Sequence, residues 1–438
     1  MTAALKAPFL SAFDPISEAE GSIDPLGLAG TYDRLADLML PGITVRMGKP
    51  RFLTALAVGA HVCSEFGVDE LAADQISPPY LVMEWWVIEA FVRARELLAA
   101  TGRIPGFQKV QSGQRDGRPI SAHAYLKVPS VFGFTGIFRR LARHAQIITR
   151  DGALDEAGHL LVDVWAKEQG LDNFLYGRDG AGASFREDLR RAVRDGMREG
   201  HTGHRPRGFW ESIARHLDPA KPGRRERALL LQLIEDRAGQ PDEVKFVTAS
   251  LRRRNGPMEF SDEAKHLKTL HRAAPDRLRL ILEAIDAYES FCRPLTDAFD
   301  WLRFLASNEP ARGVSAEDFA KQAPAKALAK RIAETIPTVA NNALVGEYWL
   351  DRGQVLTVLS EGTTPAALFR ALIQHHSEAQ DRKPPDGKRS WFEEDSRGRL
   401  LVRASYRLDA TPAARSAYVH EYRLPTLSRF LNDLGAFS

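Results

Sequence analysis

Cysteine is almost missing from this chain of 438 residues: Cys63 and Cys292 stand far apart, without the paired spacing of a metal site. That excludes a disulfide framework and a cysteine-based zinc ribbon. The apolar helical patterns around both cysteines predict buried, reduced thiols. Long hydrophobic runs are lacking too. No stretch reaches the ~20 apolar residues that span a bilayer, so no membrane partner is expected. Nor does one sign of charge prevail, since 60 Lys and Arg face 57 Asp and Glu for a net charge of +3. Any affinity for nucleic acid must therefore come from local clustering rather than from the molecule as a whole. The opening MTAALKAPFLSAF is short and broken by Asp14 and Pro15, unlike a signal peptide, so a cytoplasmic location is expected.

Several catalytic signatures are also missing. No Gly-x-x-x-x-Gly-Lys-[Ser/Thr] segment cradles a phosphate, which argues against intrinsic P-loop ATP hydrolysis. No Gly-x-Ser-x-Gly elbow occurs, and neither cysteine has a nucleophile's surroundings. His201, His204 and His216 lie in a basic region without nearby cysteines, poor material for a structural zinc and better suited to an exposed phosphate-binding loop. No cofactor is implied.

What remains is an ordinary globular composition, 44% hydrophobic and 27% charged, at a length sufficient for two to four domains. The periodicities predict a mainly α, multidomain protein. A helical N-terminal domain covers 1–102. A connector and winged helix-turn-helix module occupy 103–170, a basic loop region and helical scaffold 171–310, and an α+β region 311–438. In the first domain, Asp24-Pro25 starts a helix carrying Leu28, Tyr32, Leu35 and Met39, which Pro41-Gly42 stops. A second helix runs from about Arg51 to Phe66. A third, from Pro79 to Ala100, is apolar almost all round and should be the buried spine. Further on, Leu278, Leu282, Ile285, Phe291, Leu295, Phe299 and Leu302 mark a long seam that Pro294 should kink or divide.

The most informative stretch is Val131 to Gln169. Thr135 is placed to cap a helix with Ile137, Phe138, Leu141 and Ala145 on one side and Arg139, Arg140 and Arg143 toward solvent. Ile147 and Ile148 enter a short strand, Arg150-Asp151-Gly152 turns the chain, and Leu154 returns it. Asp155 then caps a helix bearing Leu160, Leu161, Val164 and Trp165. In a winged helix-turn-helix the basic helix enters the major groove and the hairpin tip meets a phosphate backbone. Arg139, Arg140, Arg143 and Arg150 are thus candidate contacts to double-stranded DNA. Such modules also serve as protein–protein units. The helix that should precede the recognition helix is poorly defined, because 103–130 contains Pro105, Pro119 and Pro129. Between Arg186 and Arg227, twelve Lys or Arg face seven Asp or Glu. Arg186, Arg190, Arg194 and Arg198 recur at helical spacing there, either as a phosphate-contacting stripe or as a solvated face paired with Glu187, Asp188 and Glu199.

A second constellation lies between His375 and Arg407. His375, Lys388 and Glu393 on a helix, a loop and a strand are material for metal-dependent phosphodiester cleavage, with magnesium or manganese as the required ion. Lys388 and Arg389 end a rigid basic loop suited to an anion. Against catalysis, His375 follows Leu368 and Leu372 at helical spacing, and His376 follows Phe369 and Ile373. Both histidines can therefore simply edge a core. A third possibility is a non-catalytic scaffold that binds partner proteins.

Two segments carry a resemblance. SIDPLGLAGTYDRLADLMLPGITVRMGKPRFL, through Asp24, Leu26, Gly27, Pro41, Gly42, Arg51 and Phe52, is similar to the opening of bacterial proteins of unknown function encoded in phage-defence islands. HHSEAQDRKPPDGKRSWFEEDSRGRLLVRASY resembles their C-terminal segment, through His375, Lys388, Arg389, Trp391, Glu393 and Arg403. Phe52 stands where a tyrosine is more familiar, and Pro50 interrupts the helix start. The resemblance implies a setting in restriction or phage defence, with protein partners, and supplies no catalytic residues.

Overall fold

The structure, a computed structural model, describes residues 24–236, 241–254, 256–350, 363–384 and 386–437. The opening MTAALKAPFLSAF and Pro385, in the basic loop that Lys388 and Arg389 end, lie outside the described residues. Among those described, the protein is mainly α, with eighteen helices and one two-stranded sheet. None of the helices is long and apolar enough to cross a membrane.

The chain groups into two compact units, each discontinuous in sequence. One comprises residues up to Leu35 together with Leu280–His420; the other comprises Ala36–Arg279 and Glu421–Ser438. Borders expected near 102 and 170 fall inside the second unit, and the one near 310 falls inside the first. Local composition marks loops, whereas unit membership here depends on contacts between residues hundreds of positions apart.

The first unit begins with the Asp24 carboxylate, which accepts the backbone N–H groups of Leu28 and Ala29 at 2.9 Å each. This side chain starts α1 (Ala29–Met39) five residues later than the aspartate itself. The long seam is a single helix, α13 (Asp276–Asn308), and Pro294 does not divide it. Ile285, Tyr288 and Phe291 before the proline are fully buried, as are Leu295, Phe299 and Leu302 after it. Burial on both sides outweighs the one hydrogen bond a proline removes. Short α14 (Ala316–Lys321) is closed by a Ser315–Asp318 capping box and leads into α15 (Ala323–Ala340) and α16 (Ala343–Leu350). Helix α17 (Pro365–Asp381) is capped by Thr364, whose hydroxyl accepts Ala367 N–H at 3.2 Å. Strands β1 (Phe392–Glu394) and β2 (Leu400–Val402) pair antiparallel, Phe392 opposite Val402. The Asp395 carboxylate ties their turn by accepting the N–H groups of Arg397 and Arg399. Beyond β2 the chain leaves the ladder for a 3-10 turn at Ala404–Tyr406.

The second unit is built on α2 (Phe52–Val62) and α3 (Pro79–Arg93). Thirteen of the fifteen α3 residues are buried, so it is the expected spine, though it ends at Arg93 rather than near Ala100. Around these two pack α6 (Phe134–His144), α7 (Glu156–Glu168), α8 (Gly180–Glu199) and α9 (Arg207–Leu217). Helices α4 (Phe107–Arg115) and α5 (Pro129–Phe132) fill the connector, and α10 (Arg224–Glu235), α11 (Pro241–Arg252) and α12 (Phe260–His271) follow. The terminal α18 (Leu424–Asp433) carries Pro425 in its first turn and lies against α11 and α12. It also stacks Phe430 on Phe138 of α6, with ring centroids 6.1 Å apart.

A buried ion pair joins these layers. Arg51, 2% exposed, meets Glu226, 0% exposed, in a forked contact, Nε to Oε1 at 2.8 Å and Nη2 to Oε2 at 3.0 Å. The remaining donors reach the carbonyls of Asp218, at 2.5 Å, and His216, at 3.1 Å, at the end of α9. Thr54 Oγ donates to Glu226 Oε1 at 2.7 Å. Removing only one member leaves an uncompensated charge in the interior, at a cost of roughly 3–5 kcal/mol. Arg51→Met should therefore lower unfolding free energy by that order in a urea titration. The double variant Arg51→Met/Glu226→Leu should recover part of the loss; a double variant no better than the single one would contradict it.

Candidate functional site

The basic helix α6 is positioned by its buried face: Phe138 and Leu141 are fully buried and Ile137 is 8% exposed. Thr135 is not its cap. Helix α6 begins at Phe134 without a side-chain cap from Gly133, and the Thr135 N–H is donated instead to Glu84 Oε2 of α3 at 2.8 Å. Glu84 is buried and also accepts the Tyr125 hydroxyl at 2.7 Å. A carboxylate from a neighbouring helix thus occupies the positive end of α6. Burial still drives its pKa upward. The approach requires glycine at 133, because a Cβ there would lie 2.1 Å from Glu84 Oε1.

Beyond α6 the hairpin is a single antiparallel bridge, Ile148 to Leu154. Two flanking hydrogen bonds support it, from Thr149 N to Ala153 O at 2.9 Å and from Asp155 N to Ile147 O at 3.0 Å. Gly152, at φ +96°, makes the turn. Asp155 caps α7 as expected, accepting Glu156 N–H at 2.8 Å. Immediately upstream of α6 stands the one-turn α5, and the connector expected to be irregular also holds the nine-residue α4.

The arginines of this region divide in two. Arg140 is ion-paired with Asp37, which also receives Arg423 at 3.2 Å. Arg139, Arg143 and Arg150 have no carboxylate within ion-pair distance among the described residues. Arg139 is half-buried and lies over the Tyr80 ring, 5.2 Å from its centroid. Arg143 and Arg150 are exposed, and Arg143 donates to the Arg150 carbonyl. Partial burial of Arg143, then the positive charges of Arg139 and Arg150, lower its pKa; Asp151 opposes them. Arg143 thus lies in the positive field of both Arg139 and Arg150, with the Asp151 carboxylate acting against it.

The α8 stripe is the opposite case. Arg194 pairs with Glu65 at 2.7 Å and Glu187 at 3.1 Å, and Arg198 pairs with Asp195 at 2.9 Å and Glu199 at 3.0 Å. Arg186 spends its guanidinium on the carbonyls of Asn173, Phe174 and Gly177. Its face is neutralised from within, partly by Glu187 and Glu199 as the sequence suggests and partly by Glu65, some 130 residues upstream.

In the first unit, the C-terminal constellation proves to be a joint. His375 Nε2 donates to Leu26 O at 2.5 Å. His376 Nδ1 donates to Pro25 O at 2.7 Å, while the Trp391 N–H donates to His376 Nε2 at 2.9 Å. Since the amide must donate, the ring is neutral with its proton on Nδ1. Gln380 adds a hydrogen bond to Pro25 O and Lys383 one to Asp24 O. Gly27, at φ +65°, brings the chain against α17, where a Cβ would lie 3.3 Å from that of Ala379. Residues 24–27 are therefore held against α17.

The other members of that constellation do not converge on the histidines. Glu393 pairs with Arg403 at 2.9 Å and lies on the strand face opposite buried Phe392. Lys388 is tied through its backbone N–H to Gln380 O at 2.9 Å, and Arg389 is exposed. No group of three His, Cys, Asp or Glu among the described residues is placed to hold a metal ion, which also separates His201, His204 and His216. Cys292 is buried, and burial pushes both the Cys63 and Cys292 thiols well above their ordinary value. What the sequence could not show is the partner of each histidine, a backbone carbonyl about 350 residues away.

Burial, then the charges of Lys383, His375 and Arg303, hold His376 down to about 4, against the hydrogen bond to Pro25. In the unfolded chain it titrates near 6.5. Between those values the unfolded state binds the extra proton, so stability is full above about 6.5 and falls as pH drops toward 4, by on the order of 3 kcal/mol. His376→Asn, whose amide retains both a donor and an acceptor, should lose less unfolding free energy than the wild type between pH 7 and 5. Equal losses would show that His376 is not the titrating joint.

The chain matches no known family model, no curated protein and no solved structure.

Proposed function

We propose that this protein binds double-stranded DNA through the exposed face of α6 and the 149–153 turn, in the manner of a winged helix. It would act as one component of a multi-protein defence or restriction system. The observation that carries the proposal is the cluster of Arg139, Arg143 and Arg150. These are three cations drawn together by a helix and a turn, with no carboxylate in ion-pair distance among the described residues. A polyphosphate supplies the missing counter-charge and releases its own condensed cations in doing so. Arg143 and Arg150 reach phosphates, and Arg139, steadied on Tyr80, lies at the edge of the same face. Arg140, held by Asp37, orients the helix more than it contacts the duplex. Lys388 and Arg389 belong to the other unit and would add phosphate contacts of their own. The defence setting follows from the resemblance of the two segments, and it implies protein partners.

The proposal is tested by titrating fluorescent duplex DNA over a salt series with magnesium present. Each phosphate contact contributes about 0.9 to the slope of log affinity against log salt. Arg143→Ala/Arg150→Ala should therefore flatten that slope by about 2 and leave the duplex intact, while Arg194→Ala/Arg198→Ala, which removes two internally paired arginines, should change it little. An unchanged slope in the first variant would overturn the assignment and favour a scaffold for partner proteins. Metal-dependent cutting abolished by Glu393→Ala would shift the function to the C-terminal segment.

A further inference from the structure

A recess of about 620 Å3 opens on the second unit between the end of α3, α4, the loop before α9 and the first turn of α9. Its cations are fixed in advance. Arg93 is bonded to Glu89 at 2.7 Å and lies over the Trp210 ring, 4.9 Å from its centroid. Arg205 is bonded to Asp195 at 2.5 Å and lies over Trp86 and Phe209, at 5.3 and 5.7 Å. Trp210 is itself stacked on Trp86 and donates its indole N–H to Arg205 O at 3.1 Å.

The lining has more donors than acceptors. Arg205 Nε and Gln114 Nε2 are buried and meet no acceptor among the described residues. Neither Arg93 nor Arg205 uses its Nη1 in a hydrogen bond within the described residues. Of the acceptors, Glu211 is held by Arg207 at 2.5 Å and Glu96 faces the same arginine at 3.8 Å. Helix α9, whose first residue is Arg207, begins without a side-chain cap or an acidic residue in its first turn. Buried donors without acceptors are costly, and a multi-oxygen anion satisfies several at once.

We propose that this recess binds the phosphate group of a small phosphorylated molecule of about nucleotide size. Arg93, Arg205 and Gln114 hold the phosphate oxygens, and the volume falls within the roughly 300–1,000 Å3 of small-molecule sites. The site rests on different residues from the DNA-binding face and stands whether or not that face binds DNA.

The test is calorimetric titration of the full chain with adenosine monophosphate and with inorganic phosphate. Single-site, saturable binding of adenosine monophosphate is expected, weakened about tenfold or more by Arg93→Gln and by Gln114→Leu, and unaffected by Arg143→Ala/Arg150→Ala. Gln114→Leu is the decisive variant for folding. It removes a donor that meets no acceptor among the described residues, so its melting temperature should match or exceed the wild type's. Absence of saturation by either probe at millimolar concentration would overturn the proposal, as would equal affinity in the Arg93 and Gln114 variants. Loss of adenosine monophosphate binding in the Arg143/Arg150 variant, with displacement by short duplex DNA, would assign the phosphate to nucleic acid and overturn it as well.

Discussion

An arginine and a glutamate with almost no access to water hold the second unit together. Charges can be buried only where their hydrogen-bonding capacity is met. Arg51 and Glu226 meet that condition because the chain brings the end of α9, the start of α10 and the first turn of α2 to one point. The arrangement propagates. Glu168 of α7 accepts the N–H groups of Arg225 and Glu226, and Asp218 accepts Ala99 N–H beyond α3. Four helices and a loop are thereby placed relative to a single guanidinium. The basic helix α6, which packs on α2, inherits its position from that frame.

The same accounting separates arginines that hold the fold from arginines available for a partner. On α8 every turn of the stripe finds a carboxylate or a carbonyl within the unit, and the stripe closes on itself. On α6 and the following turn, Arg143 instead lies in the positive field of Arg139 and Arg150. Sequence spacing made the two helices look alike. Only the location of Glu65, Glu187, Glu199 and Asp37 tells them apart.

Histidines 375 and 376 show how a residue type associated with catalysis can be spent on architecture. Their ring nitrogens satisfy backbone groups of Pro25, Leu26 and Trp391, none of which has a helix or strand partner at that point. The Leu26 carbonyl would otherwise be buried without a donor. An imidazole supplies a donor and an acceptor in one rigid ring, and burial keeps it neutral. Both ring nitrogens of His376 are thereby engaged in the fold.

Much of the secondary structure was legible in residue order, because its causes are local. Thr364-Pro365 starts α17, Asp155 caps α7, Gly152 turns the hairpin and Pro425 opens α18, each through a neighbour within a few positions. The apolar faces of α3 and α6 were legible from periodicity. Three features were not. The cap of α6 comes from Glu84 rather than Thr135, Pro294 sits inside a continuous helix, and the unit borders run through distant segments. In each case long-range packing overrode a local preference worth a few kcal/mol at most. By itself, then, the sequence determined which segments coil and which side of each is apolar. Tertiary structure alone decided which of many similar charges are neutralised, since an ion pair depends on distance in space and nothing in residue order encodes the partner.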